Sequence, residues 1–165
     1  MSESSPQQTP QHTLFVCTTC ATTWENGKRV RCGGEQFLQQ LQILHQNWEF
    51  KEKFSLKSVR CMSACDRACV FSLAASGKHT YLFGDVPTQT EIVLKTSEAV
   101  LECAERYYAD SEGLLPWVER PQLLRKKVVA HIPPVSMRSP SATPTTPPPS
   151  TTPTTLNGRS LATHN

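Results

Sequence analysis

Val70-Phe-Ser-Leu-Ala-Ala-Ser-Gly-Lys-His-Thr-Tyr-Leu-Phe83 holds two strand-like runs, Val70–Ala75 and His79–Phe83, joined at Ser76-Gly77-Lys78. Short apolar runs rich in aromatic and branched residues, separated by a glycine-containing triplet, predict a β-hairpin. Gly84-Asp85-Val86-Pro87 closes the second run. Just upstream, Phe54–Val59 alternates apolar and polar residues, the period of a half-buried strand. Between this strand and the hairpin, Met62–Ala68 is a small-residue polar stretch that fits a loop or a single turn.

Further upstream, Phe37, Leu38, Leu41, Leu44 and Trp48 recur at helical spacing and predict a helix over Gly33–Glu49. Thr13-Leu-Phe-Val-Cys17 is a short apolar run and reads as a buried strand. Thr18–Arg31 between them is polar, with a turn signal at Asn26-Gly27. Downstream of the hairpin, a helix is expected from about Thr90 to Ala109, with a break near Lys95-Thr96. Leu114–Ile132 is a C-terminal extension. Its Pro116-Trp117, Leu123-Leu124 and Val128-Val129 predict that it packs back on the domain. The expected order is β-α-β-β-β-α. A strand, a crossover helix and a parallel strand, followed by a hairpin and a helix, make a small α/β layer fold of thioredoxin-like type.

The chain has 165 residues, enough for one ordinary domain. Eight of its 13 prolines lie between Pro133 and Pro153, a composition that cannot bury enough to offset its ordering entropy. The expected division is a disordered polar leader over 1–12, a folded domain over 13–132 and a Pro/Thr-rich disordered tail over 133–165. Setting aside Arg138 and Arg159 of the tail and Glu3 of the leader, 15 basic and 13 acidic residues remain. A near-neutral domain argues against nucleic acid as a partner, and Arg125-Lys126-Lys127 reads as a solvated basic face. No apolar stretch approaches the roughly 20 residues of a membrane span. Met1–His12 has no apolar run and no basic start, so no secretory signal is read and a cytoplasmic location is expected.

Six of the seven cysteines fall between Cys17 and Cys69. They form Cys17-Thr-Thr-Cys20, a separate Cys32, and Cys61-Met-Ser-Ala-Cys65-Asp-Arg-Ala-Cys69. Cysteine often serves as a small buried filler. That suits Cys103, which sits in a helical pattern with Val100 and Tyr107, but not three cysteines at strict four-residue intervals. A disulfide framework needs an oxidising compartment and fits poorly with an odd count. A dithiol of Cys17 and Cys20 fits its motif but leaves the second cluster unexplained. Thiolates are the preferred ligands of zinc and iron–sulfur clusters, so the six clustered cysteines are candidate metal ligands. The topology brings the loops after the first two strands together at the carboxyl end of the sheet, where open α/β folds place their sites. Cys17 with Cys20 or Cys32, and Cys61 with Cys65, would then make a four-sulfur site. Cys32, at a helix start, would gain from free backbone N–H groups.

The spacing of Cys17, Cys32, Cys61 and Cys65, with a hairpin and helix after the last pair, resembles the thioredoxin-like [2Fe-2S] ferredoxins. That resemblance implies these four as ligands. Over residues 13–134 the chain is also similar to a bacterial family of predicted metal-binding proteins of unknown function. Some of its members lie near vitamin B12 synthesis genes. The matching residues are Val16–Cys20, Cys61–Cys69, Gly77–Asp85, Leu115–Pro121 and Ile132–Pro134. That pattern emphasises Cys17, Cys20, Cys61, Cys65 and Cys69 and needs no cysteine at 32, so either Cys20 or Cys32 stands as fourth ligand and Cys69 can replace one. Asp66 and Arg67 are read as tuning a cluster or as a turn ion pair, His79 as structural, and Trp24 and Trp117 as core aromatics or shields over a cluster. No Ser-His-Asp set, phosphate-binding glycine loop or convergent carboxylate pair is present, so no enzymatic activity is expected. The expected function is a [2Fe-2S] electron carrier with a redox partner protein, a homodimer remaining open. The alternatives are a zinc-binding or metal-handling protein with the same ligands, or a thioredoxin-like dithiol oxidoreductase.

Overall fold

The structure is a computed structural model that describes residues 11–135. The expected leader and tail therefore fall outside the described residues, except for 11–12 and 133–135. Five strands form the main sheet: β1 (His12–Cys17), β4 (Phe54–Val59), β5 (Phe71–Ala75), β6 (Thr80–Phe83) and β7 (Val128–Ile132). Their spatial order is β4-β1-β5-β6-β7. β1 runs parallel to β4 and antiparallel to β5, and β6 is antiparallel to both β5 and β7. The crossover between β1 and β4 is made by α1 (Gly33–Gln46), and α2 (Val93–Ala109) follows the hairpin and packs against α1. This is the mixed α/β, thioredoxin-like arrangement expected from the sequence, extended by one edge strand.

Register explains the core. Leu14 lies opposite Leu73, which lies opposite Tyr81; Val16, Phe71 and Phe83 form the next row. All six are buried. Strand side chains alternate between faces, so these two rows line one side of the sheet. Phe37 and Leu41 of α1 and Val100, Ala104 and Tyr107 of α2 belong to the same core. Burying a Leu or Phe side chain contributes about 1.5–3 kcal/mol, so this shared layer dominates what holds helices to strands. A second tie is polar. The Lys78 ammonium, at the hairpin turn, donates to the carbonyls of Tyr107, Tyr108 and Asp110 at 3.1, 2.9 and 2.6 Å. It thereby places a cation at the negative end of the α2 dipole.

Three details depart from the sequence reading. The polar stretch after β1 is an ordered ribbon, β2 (Thr22–Glu25) paired with β3 (Lys28–Cys32). The first helix stops at Gln46, with Asn47 as its C-cap, and Trp48 turns inward to donate to Glu105 at 2.6 Å. The second helix begins at Val93 and runs unbroken through Lys95-Thr96; before it, Ile92 and Val93 both donate to the Gln89 carbonyl. The extension does pack back: Leu115 and Leu124 are buried, and β7 completes the sheet. No helix among the described residues is long and apolar enough to cross a membrane.

Candidate metal centre

Three chain segments arrive at one end of the sheet. Parallel pairing sets Cys17 opposite Val59, so the exits of β1 and β4 are neighbours. They are laced together: Thr18 N–H donates to the Val59 carbonyl at 2.9 Å, and the Thr19 hydroxyl donates to the Arg60 carbonyl. β5 is antiparallel to β1, so its beginning reaches the same end, and Cys17 N–H donates to the Val70 carbonyl at 3.0 Å. The start of α1 closes the site from above. A Cβ on Gly34 would lie 3.0–3.1 Å from the backbone of Thr18 and nearer still to the Cys17 carbonyl oxygen. One on Gly33 would lie 3.1 Å from the Cys69 sulfur and 2.6 Å from the Thr88 hydroxyl. The two glycines let the helix sit directly on the cysteine loops.

The candidate ligands are placed as follows. Cys61 and Cys65 are exposed, with sulfurs 3.9 Å apart. Ser63, at φ 56°, turns the chain between them and donates its N–H to the Cys61 sulfur at 3.3 Å. Cys17 and Cys20 are buried, at 1% and 4% exposure, and lie three residues apart at the exit of β1. Burial opposes a Cys17 thiolate, but the Cys20 thiol, the backbone N–H groups of Met62 and Thr19 and the Thr19 hydroxyl outweigh it and lower the Cys17 pKa. The same environment raises Cys20, through burial first and then the adjoining Cys17 sulfur. The Cys65 thiol is raised chiefly by the adjacent Cys61.

Cys32 and Cys69 are engaged differently. The Cys32 thiol donates to the Thr18 carbonyl at 2.8 Å and accepts from the Thr22 hydroxyl at 3.3 Å. Cys32 is the N-cap of α1, yet its sulfur makes no cap bond. The helix-start N–H groups expected to favour its thiolate are occupied in part: Gly33 donates to Ala21 and Gly34 to Cys20. The Cys69 sulfur lies 3.2 Å from the Thr88 hydroxyl, and burial raises its pKa. Cys103 is buried on α2, its thiol pushed up to about 12 by burial. Among the described residues, no three Cys, His, Asp or Glu side chains form a ready-made metal-ion site; the thiols are gathered as pairs.

The neighbours also differ from the sequence reading. Arg67 pairs with Asp85 at 2.6 Å, not with Asp66. Trp24 and Trp117 are 65% and 51% exposed, so neither is a core aromatic. Arg125 of the basic run lies over the Trp117 ring, 5.2 Å from its centroid. His79 lies beside the His131 ring, 4.6 Å between centroids, away from the thiols. Thr88, whose hydroxyl meets Cys69, carries no sequence signal. Thr19 precedes Cys20 and Thr22 lies two residues after it, and neither carries a sequence signal of its own.

The donor chemistry suits a thiolate-bound metal. Two sulfurs on one tetrahedral ion with bonds of about 2.3 Å lie about 3.8 Å apart, and Cys61 and Cys65 are 3.9 Å apart. The family described as "Protein of unknown function (DUF1636)" matches residues 14–134. No curated protein matches the chain. Among solved structures, a thioredoxin-like [2Fe-2S] ferredoxin from Aquifex aeolicus matches at 17% identity and a TM-score of 0.45, covering 78% of this chain and 98% of that one.

Proposed function

The chain belongs to that family of unknown function, and from its thiol geometry we propose that it is a small cysteine-ligated metal-binding protein that holds a [2Fe-2S] cluster and carries electrons. The observation that carries this reading is the arrival of Cys17 and Cys20, and of the adjacent sulfurs of Cys61 and Cys65, at the exits of two hydrogen-bonded parallel strands. In this reading these four are the ligands, because the Cys32 thiol is held by Thr18 and Thr22. Bound there, the cluster supplies a one-electron couple. The protein's own part is to hold and shield it. The N–H groups of Met62 and Thr19 favour the Cys17 thiolate, and the Ser63 N–H steadies the Cys61 sulfur. Cys17 and Cys20 close the inner side, while Cys61 and Cys65 face outward, where a redox partner protein would approach. No catalytic chemistry of its own is assigned.

Zinc is the alternative occupant, because four cysteine thiolates serve either. Anaerobic purification followed by a visible spectrum and metal analysis separates them. The cluster predicts a coloured protein with about two iron and two sulfide per chain; a colourless protein with stoichiometric zinc would replace it. Neither metal at stoichiometric level would overturn both.

A second reading has one observation in its favour. Cys17-Thr-Thr-Cys20 is a Cys-x-x-Cys motif at the exit of β1, the arrangement of a dithiol with one attacking and one resolving sulfur. A dithiol oxidoreductase predicts that Cys61→Ser keeps disulfide-reductase activity; the cluster reading predicts no such activity and loss of bound metal.

A further inference from the structure

The seven thiols divide sharply by access. Cys17, Cys20, Cys32, Cys69 and Cys103 are buried; Cys61 and Cys65 are exposed. A dissolved thiol reagent therefore meets these two first, since exchange requires access to the sulfur. The two also lie side by side, 3.9 Å between sulfurs. A disulfide bond is about 2.05 Å, so closure needs the sulfurs to approach by about 2 Å. The segment that must give is short and outward-facing. Cys61 and Ser63 are exposed, and the single 3-10 turn Cys65–Arg67 has no buried residue.

We propose that Cys61 and Cys65 form an intramolecular disulfide with low-molecular-weight disulfides such as oxidised glutathione, and that this closure withdraws the outward half of the thiol set from metal. In the first step one of the two thiolates attacks a sulfur of the reagent, RSSR. A protein–S–SR bond forms, the RS–SR bond breaks, and one RS⁻ leaves. The second cysteine then attacks the protein sulfur of that mixed disulfide, forming Cys61–Cys65 and expelling the second RS⁻. The two protein thiol protons end on the two released thiols. The protein pair is oxidised by two electrons and RSSR is reduced to 2 RSH, so the balance closes. The neighbouring sulfur makes the second step intramolecular, so a lasting glutathione adduct is not expected. The buried Cys17 and Cys20, though also adjacent, are withheld from the reagent.

The disulfide itself is independent of the metal reading; its effect on metal rests on that reading. The test treats the reduced, metal-free full chain with oxidised glutathione. Titratable thiols after denaturation, intact mass, peptide mapping and cobalt binding by absorbance are then measured. The expected result is a loss of two of the seven thiols, a mass lower by two hydrogens and a Cys61–Cys65 cross-linked peptide. Cobalt absorbance should fall to background and return with dithiothreitol. The Cys61→Ser chain should instead keep one glutathione on Cys65. A stable adduct on the wild-type chain, a Cys17–Cys20 link, or a disulfide-linked dimer would overturn the proposal, as would full cobalt binding by the oxidised chain. If the reduced chain binds no cobalt while the Cys61–Cys65 link forms, the metal reading fails and the disulfide stands.

Discussion

At the scale of single residues, the chemistry depends on which sulfur faces which neighbour. Cys65→Ser should lose most bound metal or shift the visible spectrum, since a hydroxyl oxygen suits these metals less well than a thiolate. Cys103→Ser should keep the metal, because Cys103 is buried on α2 away from the strand exits. Its cost is a hydroxyl in an apolar site, about 1–3 kcal/mol in a denaturation experiment. Cys20→Ser and Cys32→Ser decide the fourth ligand. Metal analysis should show loss for Cys20 and retention for Cys32, whose thiol is already held by Thr18 and Thr22; the reverse result would exchange their roles. The adjacency of Cys61 and Cys65 was legible in the chain: their spacing fits one loop, and the structure sets their sulfurs side by side. What could not be read was orientation. Cys32 lies only twelve residues from Cys20, and its sulfur direction depends on the Thr22–Cys32 pairing of a ribbon with no apolar period to announce it.

Elements follow the same division. α1 and β4 were legible from apolar residues that repeat at the period of the backbone, and β1 and the β5–β6 hairpin from short apolar runs bounded by turn residues. The β2–β3 ribbon is exposed along almost its whole length, so only its Asn26-Gly27 turn was visible. β7 is an edge strand with mostly exposed or half-buried residues and likewise offered little pattern. Gly33-Gly34 marked the start of α1, but the reason for glycine there is spatial and appears only in three dimensions. Replacing glycine by alanine within a helix ordinarily stabilises by about 0.5–1 kcal/mol. At Gly34 the sign should reverse, because the added methyl would collide with Cys17 and Thr18 backbone. Gly34→Ala should lower the urea midpoint and, by pushing α1 off the cysteine loops, reduce metal content. An unchanged or raised midpoint would show that the helix can shift without cost.

For the molecule as a whole, acid sensitivity should originate far from the thiols. His12, at the start of β1, is buried against Phe54, Tyr107 and Tyr108, with ring centroids 5.1, 6.0 and 5.0 Å away. Burial lowers its pKa below 6.5, the Lys78 ammonium adds to this, and the Lys53 carbonyl partly offsets both. The folded state thus disfavours the charged ring. Its stability contribution is complete above pH 6.5 and is lost as the pH falls from there toward the lowered folded value. His131, also lowered, acts in the same direction. The melting temperature should therefore drop on acidification through this window, and His12→Phe should flatten the drop; a His12→Phe profile as steep as wild type would assign the sensitivity elsewhere. The β2–β3 ribbon has a different consequence at this scale. It leaves and rejoins the domain at one place, where Thr22 faces Cys32 and Gly33 N–H meets the Ala21 carbonyl. Its tip, Asn26-Gly27, has positive φ at both residues and nothing within 4 Å of a side chain built on Gly27. The ribbon is therefore a natural splice point: a reporter domain with close termini, inserted between Asn26 and Gly27, would leave the main sheet's strand pairing uninterrupted while joined through β2 and β3 to the chain that carries Cys20 and Cys32.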